Sequence, residues 1–332
     1  MFNAYFLRRG YHVSDVGNII AWVDSGGFLF LDAPQRRLAG LHGSKQSSRP
    51  LVSWSEDLVE LVLRRQEDFG ARVAFSLDYP LPPRSHLEPD CCPSTVAERI
   101  RLSALGAAIG YQLRRRSSMR LLVVLQYNGV GALRKYLEIL EGELRSRAGI
   151  GLDEVDGFAI GGLVPHSARW WLLARRLQEA RKLLGWDKWI HLLGVASPHN
   201  IPLIYYAGAD SADSKTYIIA AAKRLYYQPP GSKPARIDLR GTNGARPSCE
   251  CPACTSIDKL SDLRSDTKKL AIHNLYVTLQ AAKKASEKHS ESKLRDYLKQ
   301  LSETNPRIKK AFREIAIPRP QRHQTQLRLS YT

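Results

Sequence analysis

Leu121-Leu122-Val123-Val124-Leu125, followed at once by Gln126-Tyr127-Asn128-Gly129, sets the pattern of the whole chain. Five apolar residues without alternation read as a strand buried on both faces, and the polar turn after them ends it. The same grammar recurs on either side. Residues 19–23 lead into Asp24-Ser25-Gly26-Gly27, and 72–77 lead into Asp78-Tyr79-Pro80. Residues 158–160 lead into Gly161-Gly162, and 190–195 into Ala196-Ser197-Pro198. Between these runs, apolar residues at helical spacing predict helices over 55–69, 95–113, 131–148 and 167–184. Strand, polar turn and helix in repetition specify a parallel α/β protein. A doubly wound sheet and a (β/α)8 TIM barrel both obey this grammar. Polar residues after several strands, from Asp24 to Asp213, favour the barrel, whose site collects the C-terminal ends of all its strands. No glycine-rich phosphate fingerprint follows the first strand, which weighs against the doubly wound form.

A second pattern begins after residue 224. Residues 225–248, rich in Pro, Gly, Arg and Lys, predict a long loop that delivers three of the five cysteines: Cys249, Cys251 and Cys254. Disulfides are disfavoured among such close neighbours. Zinc wants four soft or borderline ligands in a tetrahedron, and these thiolates with His273 supply them. His273 lies on a predicted helix, 270–285, that can carry it back over the loop, so the metal is expected to be structural. A chance cluster and a redox site are the alternatives. Cys91 and Cys92 read as small buried residues or spare thiols rather than ligands. The predicted division is therefore 1–224 for the main part of the barrel, 225–285 for the zinc loop and helix, and 286–332 for a charged helical segment and basic tail. That last segment breaks near Asn305-Pro306, and beyond Pro318 it turns irregular.

At 332 residues and 43% hydrophobic content the chain can bury a large core. No apolar run is long enough to cross a bilayer, and the first residues lack a signal-peptide layout, so a cytoplasmic protein with no membrane partner is expected. The formal charge is +18, and from Arg264 onward 16 Lys and Arg face 6 Asp and Glu. Further basic runs are Arg64-Arg65, Arg114 to Arg116 and Arg175-Arg176. Each alone is an ordinary solvated helix face, but a surplus this large and lopsided points to a polyanion, nucleic acid above all.

Three carboxylate positions stand out: Asp24, Asp78 and the pair Asp210/Asp213. At a barrel mouth such groups serve as nucleophile, general acid/base or hydrogen-bond acceptor for a base edge. Asp also favours turns and helix caps, which is the plainer reading of each one alone.

Taken together in this order, the motifs resemble those of the tRNA-guanine transglycosylase family, which exchanges a guanine in a polynucleotide for a 7-deazaguanine base. Asp24-Ser25-Gly26-Gly27-Phe28 is similar to that family's Asp-Ser-Gly-Gly-Phe loop, and Leu77-Asp78-Tyr79-Pro80 to its base-recognition segment. Gln126, the turn Gly161-Gly162-Leu163, the strand Leu192-Leu193-Gly194-Val195 and the segment 208–214 with Asp213 follow in the family's order. The cysteine triplet with His273-Asn274-Leu275 is similar to its zinc site. The resemblance implies a pentosyltransferase with Asp213 as nucleophile, Asp24 as general acid/base, and Asp78, Gln126, Gly161, Gly162, Leu163 and Ser25 around the base. Structural Zn2+ would be held by Cys249, Cys251, Cys254 and His273. Tyr79 or Phe28 could stack on the base. The chain departs from the family in its 23 residues before the Asp-Ser-Gly-Gly loop, in Ala212, and in Lys215-Thr216-Tyr217-Ile218. These departures resemble the DNA 7-deazaguanine transglycosylase branch, so the first expectation is insertion of 7-cyano-7-deazaguanine (preQ0) into DNA. The alternatives are the same exchange on tRNA, of the queuosine or archaeosine type, and a non-catalytic nucleic-acid-binding subunit. Partners implied by the resemblance are DNA or tRNA, the free 7-deazaguanine base, accessory proteins of a DNA-modification system, and a second copy in a homodimer.

Overall fold

A computed structural model describes residues 2–4, 12–16, 19–31, 52–86, 93–241, 246–288 and 291–315. Cys91, Cys92 and the tail after Pro318 lie outside the described residues. Seven strands form one sheet: β1 (Phe2–Asn3), β2 (Trp22–Asp24), β3 (Val73–Phe75), β4 (Arg120–Leu125), β5 (Phe158–Ile160), β6 (Ile190–Leu192) and β7 (Ser211–Ala212). Each pairs parallel with the next in chain order. That sequential winding belongs to (β/α) barrels, because a doubly wound sheet reverses its strand order midway. Among the described residues the sheet runs from β1 to β7, with no recorded pairing that joins the two ends.

Helices α1 (Glu56–Phe69), α2 (Pro93–Leu113), α3 (Val130–Ala148) and α4 (Trp170–Leu184) fall where the apolar spacing predicts them. Their limits have local causes. The Ser55 hydroxyl accepts the Leu58 amide at 3.1 Å and starts α1. Gly70, at φ 83°, ends that helix in the left-handed region, where a side chain would be strained.

The chain divides into two compact units. The first comprises Met1–Ala168, Glu179–Ala196 and Ala209–Ser214 and contains the whole parallel sheet. Register places Trp22 beside Val73, Phe75 beside Leu122, Val124 beside Ala159, Ala159 beside His191, and His191 beside Ser211. With a period of two, these residues share one face. Val73, Phe75, Leu122, Val124 and Ala159 form a core cluster there, with Trp22, Trp189 and Leu193 packed on it.

The second unit comprises Arg169–Gln178, Ser197–Gly208 and Lys215–Thr332. It holds α5 (Ile201–Ala207), α6 (Thr216–Ala222), α7 (Thr267–Glu287), α8 (Glu291–Thr304) and α9 (Pro306–Arg313). The break predicted at Asn305-Pro306 is there: Asn305 caps α9, accepting the amides of Arg307 and Ile308. The stretch 225–248 differs from expectation. Instead of an unstructured loop it contains an antiparallel ribbon of β8 (Leu225–Tyr227) and β9 (Arg236–Asp238). The short strands carry too few residues to show a period, so flanking Pro and Gly masked them. Asn274 on α7, fully buried, anchors this ribbon. Its Oδ1 accepts the Tyr227 amide at 2.9 Å, and its Nδ2 donates to Leu225 O at 2.9 Å and Tyr217 O at 3.3 Å. Among the described residues no helix is long and apolar enough to cross a membrane.

One buried polar side chain ties α1 to the sheet. Gln66 donates through Nε2 to Val23 O at 3.2 Å and Phe75 O at 2.9 Å, at the ends of β2 and β3. Gln66→Ala removes both bonds from these buried carbonyls. The expected loss is about 1–3 kcal/mol in urea denaturation; an unchanged midpoint would show that the two carbonyls do not depend on this residue.

Candidate active site

Because the strands are parallel, their C-terminal ends open on one edge of the sheet, and the predicted site residues lie along it. Asp24 is the last residue of β2 and is half-buried, with Ser25 buried directly after it. Asp78 follows β3, Gln126 follows β4, Gly161, Gly162 and Leu163 follow β5, and Asp213 follows β7.

The structure joins three of these directly. Gln126 Nε2 donates to Asp78 Oδ2 at 2.6 Å, and Ser25 Oγ donates to Asp78 Oδ1 at 3.3 Å. The other end of the Gln126 amide, Oε1, accepts the Leu81 amide at 3.5 Å, which fixes how the amide is turned. Two motif glycines make room for this clamp. A Cβ on Gly27 would overlap the carboxylate and carbonyl of Asp78, and one on Gly161 would overlap the Gln126 amide. Burial raises the Asp78 carboxyl from 3.8 to about 6, against the opposing effect of the hydrogen bonds from Gln126 and Ser25. Its proton is thus held far closer to neutrality than that of an exposed carboxyl.

Asp213 is held differently. Its Oδ1 accepts the Gly194 amide at 2.8 Å and lies 3.2 Å from His191 Nε2. Its backbone is fixed as well, since Asp213 N donates to Leu192 O and Asp213 O accepts from Ala196 N. The strand segment 192–195 therefore serves as the cradle of this carboxylate. Asp210, its neighbour in sequence, is engaged elsewhere: its Oδ2 accepts from Arg181 at 2.6 Å and from the Ile190 amide at 2.8 Å. It anchors the entry to β6, which separates it in role from Asp213.

Sequence reasoning did not single out His191 or Gln66. His191 is a lone polar residue inside an apolar run, and Gln66 is one of five consecutive polar residues from Arg64 to Asp68, so neither gives a signal of its own. Of the two candidate stackers, Tyr79 is already engaged: its ring stacks on Phe30 at 4.6 Å and 10°, and the Arg99 guanidinium lies 4.6 Å from its centre. Several basic residues predicted as solvated are likewise internal. Arg114 pairs with Asp156, Arg64 pairs with Glu60 and Glu67, and Arg176 is buried.

In the second unit Cys249, Cys251, Cys254 and His273 bring their ligand atoms within 4.8 Å of one another, a cluster that could hold a metal ion. His273 Nε2 lies 2.9 Å from the Tyr227 carbonyl, to which it can only donate. That leaves Nδ1, 3.4 and 3.3 Å from the sulfurs of Cys251 and Cys254, as the lone-pair side. Burial lowers the imidazole to about 4 and keeps it neutral. Burial, with Cys251 and Cys249 beside it, pushes the Cys254 thiol up to about 12, so three thiolates share this space only around a cation. Tyr226 closes the cluster, its ring stacked on His273 at 3.7 Å. Cys251 and Cys254 belong to the unit's apolar core with Leu239, Leu260, Leu263 and Leu270, so the donor set fits a structural ion.

A model of the protein family described as Queuine tRNA-ribosyltransferase matches residues 136–307. Among curated relatives, the tRNA-guanine(15) transglycosylase of Haloferax volcanii is 24% identical over 94% of this chain and 56% of its own length. That of Methanocaldococcus jannaschii is 24% identical over 76% of this chain and 37% of its own. That of Saccharolobus solfataricus is 33% identical over 38% of this chain and 24% of its own. The chain thus spans between about a quarter and just over half the length of these relatives.

Two outcomes are expected. Between about pH 4 and 6 the folded protein holds a proton on Asp78 that the unfolded chain has lost, so stability falls as pH rises through this window. The fall is at most ~3 kcal/mol. In Asp78→Asn the slope over that window should flatten, as read by denaturation at a series of pH values; an unaltered slope would assign it to other groups. Cys251→Ser should lower bound metal and melting temperature together, the latter by on the order of 10 °C. Metal loss without a change in melting would remove the structural role.

Proposed function

We propose that this chain, which belongs to the queuine tRNA-ribosyltransferase family, exchanges a guanine in tRNA for a 7-deazaguanine base through a covalent glycosyl-aspartate intermediate. The observation that carries the reading is the setting of Asp213. Both of its side-chain hydrogen bonds fall on Oδ1, which leaves Oδ2 to attack the anomeric carbon. As the C1′–Oδ2 bond forms, the glycosidic bond breaks, and its electron pair leaves with the base nitrogen, which Asp24 protonates. Asp24 then takes the proton of the incoming base, whose nitrogen attacks C1′ and releases the Asp213 carboxylate. Asp78 and Gln126 would receive the Watson–Crick edge of a guanine-type base, with backbone groups of Gly161 to Leu163 completing the pocket. Adenine would leave these groups unpaired, which is how such a site rejects it.

The target nucleotide is out of reach inside a duplex, so it enters flipped or single-stranded. Exposed Arg307, Lys309, Lys310 and Arg313 on α9 supply cations for phosphates, with affinity that falls steeply as salt rises. Zinc is the ion best suited to the Cys249, Cys251, Cys254 and His273 set, and its part is to hold the ribbon β8–β9 and α7 in one core. The expectation from sequence placed DNA ahead of tRNA. The names of the relatives support tRNA instead, and Ala212 with Lys215 to Ile218 is the feature that favours DNA.

The test offers radiolabelled 7-cyano-7-deazaguanine to the purified protein with unmodified tRNA, duplex DNA and single-stranded DNA in parallel. Label is expected in tRNA. Label in DNA alone would transfer the same chemistry to the other polymer. Asp213→Ala should abolish incorporation while binding the polynucleotide within about threefold of the parent, since it removes the nucleophile and no phosphate contact; retained incorporation would remove Asp213 from its role.

A further inference from the structure

We propose that His191 is a positioning residue for Asp213, and that Trp189 and Ser211 fix the ring nitrogen through which it acts. The inference rests on the reading of Asp213 as the nucleophile. His191 lies in the middle of β6 and is 2% exposed. Phe75 and Trp22 pack on the ring, each at 5.2 Å between centroids. An apolar side chain of similar volume would fill the position without the cost of burying two polar nitrogens. Both nitrogens are instead paired.

With a single proton on the imidazole the pairing admits one arrangement, whichever end it is followed from. Trp189 Nε1–H can only donate, and it meets Ser211 Oγ at 2.9 Å. Ser211 Oγ accepts there, so its own hydrogen is available for His191 Nδ1, at 2.8 Å. The proton of the neutral ring then sits on Nε2, which lies 3.2 Å from Asp213 Oδ1. From the other end, the Asp213 carboxylate can only accept, so Nε2 carries the hydrogen; with one ring proton, Nδ1 then accepts and Ser211 donates. Trp189, Ser211, His191 and Asp213 therefore form a directed chain of hydrogen bonds that ends on one carboxylate oxygen.

That direction has a chemical consequence. With Oδ1 fixed by His191 and by the Gly194 amide, the carboxylate cannot rotate, and Oδ2 keeps one approach to C1′. In the glycosyl ester, Oδ1 becomes the carbonyl oxygen. The same two donors then stabilise the charge that returns to the carboxylate as the ester C–O bond breaks. Ser211 and Trp189 are also part of the sheet and core, so the scaffold itself aims the imidazole.

The test uses the full-length protein and the incorporation of radiolabelled 7-cyano-7-deazaguanine into whichever polynucleotide accepts it. His191→Phe keeps the volume and removes the donor; kcat should fall roughly 10- to 100-fold with KM within about twofold. His191→Gln restores an N–H near the position of Nε2 and should recover most of that loss. Ser211→Ala should lower kcat several-fold in the parent and change nothing further in the His191→Gln protein, because it acts through the imidazole. A His191→Phe protein with parental kcat and melting temperature overturns the inference. If that variant melts below the assay temperature, parental kcat in Ser211→Ala overturns it equally. Asp213→Ala run alongside separates the two readings: activity retained there overturns the nucleophile assignment and this inference with it, whereas activity lost there but kept in His191→Phe overturns this inference alone.

Discussion

Parallel pairing of seven strands in chain order is the constraint on which the site depends. It forces the C-terminal end of every strand to the same edge, so residues scattered from Asp24 to Asp213 become neighbours along it. No single segment has to carry the chemistry. Four strands contribute a polar residue at or just past their ends, Asp24, Asp78, Gln126 and Asp213, where the backbone is free to turn and side chains are no longer committed to the core. The buried runs that precede them pack Val73, Phe75, Leu122, Val124 and Ala159 into one cluster, which holds that edge rigid.

Two carboxylates on this edge occupy opposite environments. Asp78 is buried and pushed up to about 6, and it is clamped on both oxygens by Gln126 and Ser25. Asp213 is more open, with one oxygen fixed and the other available. Contrasting surroundings of this kind suit two carboxylates to different chemical tasks. The glycines beside them are part of the same design. Gly27 and Gly161 have no Cβ because Asp78 and Gln126 occupy that space.

The second unit solves a different problem. Its short ribbon and loops could not bury enough apolar surface alone, and Cys251 and Cys254 replace apolar side chains at the centre of its core. A cation held there would turn mutually repelling thiolates into cross-links, while Asn274 satisfies three backbone groups of the ribbon and the preceding helix. The basic surplus is divided in kind. Arg64, Arg114 and Arg181 are consumed by Glu67, Asp156 and Asp210, whereas the cations of α9 remain at the surface.

Sequence alone determined the α/β class, the limits of the long helices, the edge residues Asp24, Asp78, Gln126 and Asp213, and the cysteine and histidine cluster. These are local signals: an apolar run, its period, a polar residue at its end, or a short spacing of ligands. The ribbon β8–β9 was lost because three-residue strands carry no period. The internal roles of Arg114 and Arg181 were lost because their acidic partners, Asp156 and Asp210, stand far away in sequence. His191 shows the limit most clearly. In sequence it is one polar residue inside an apolar run. Only the parallel register, which sets it beside Ser211 and beneath Asp213, turns it into a hydrogen-bond donor with one direction, because that pairing joins residues 20 and 22 positions apart.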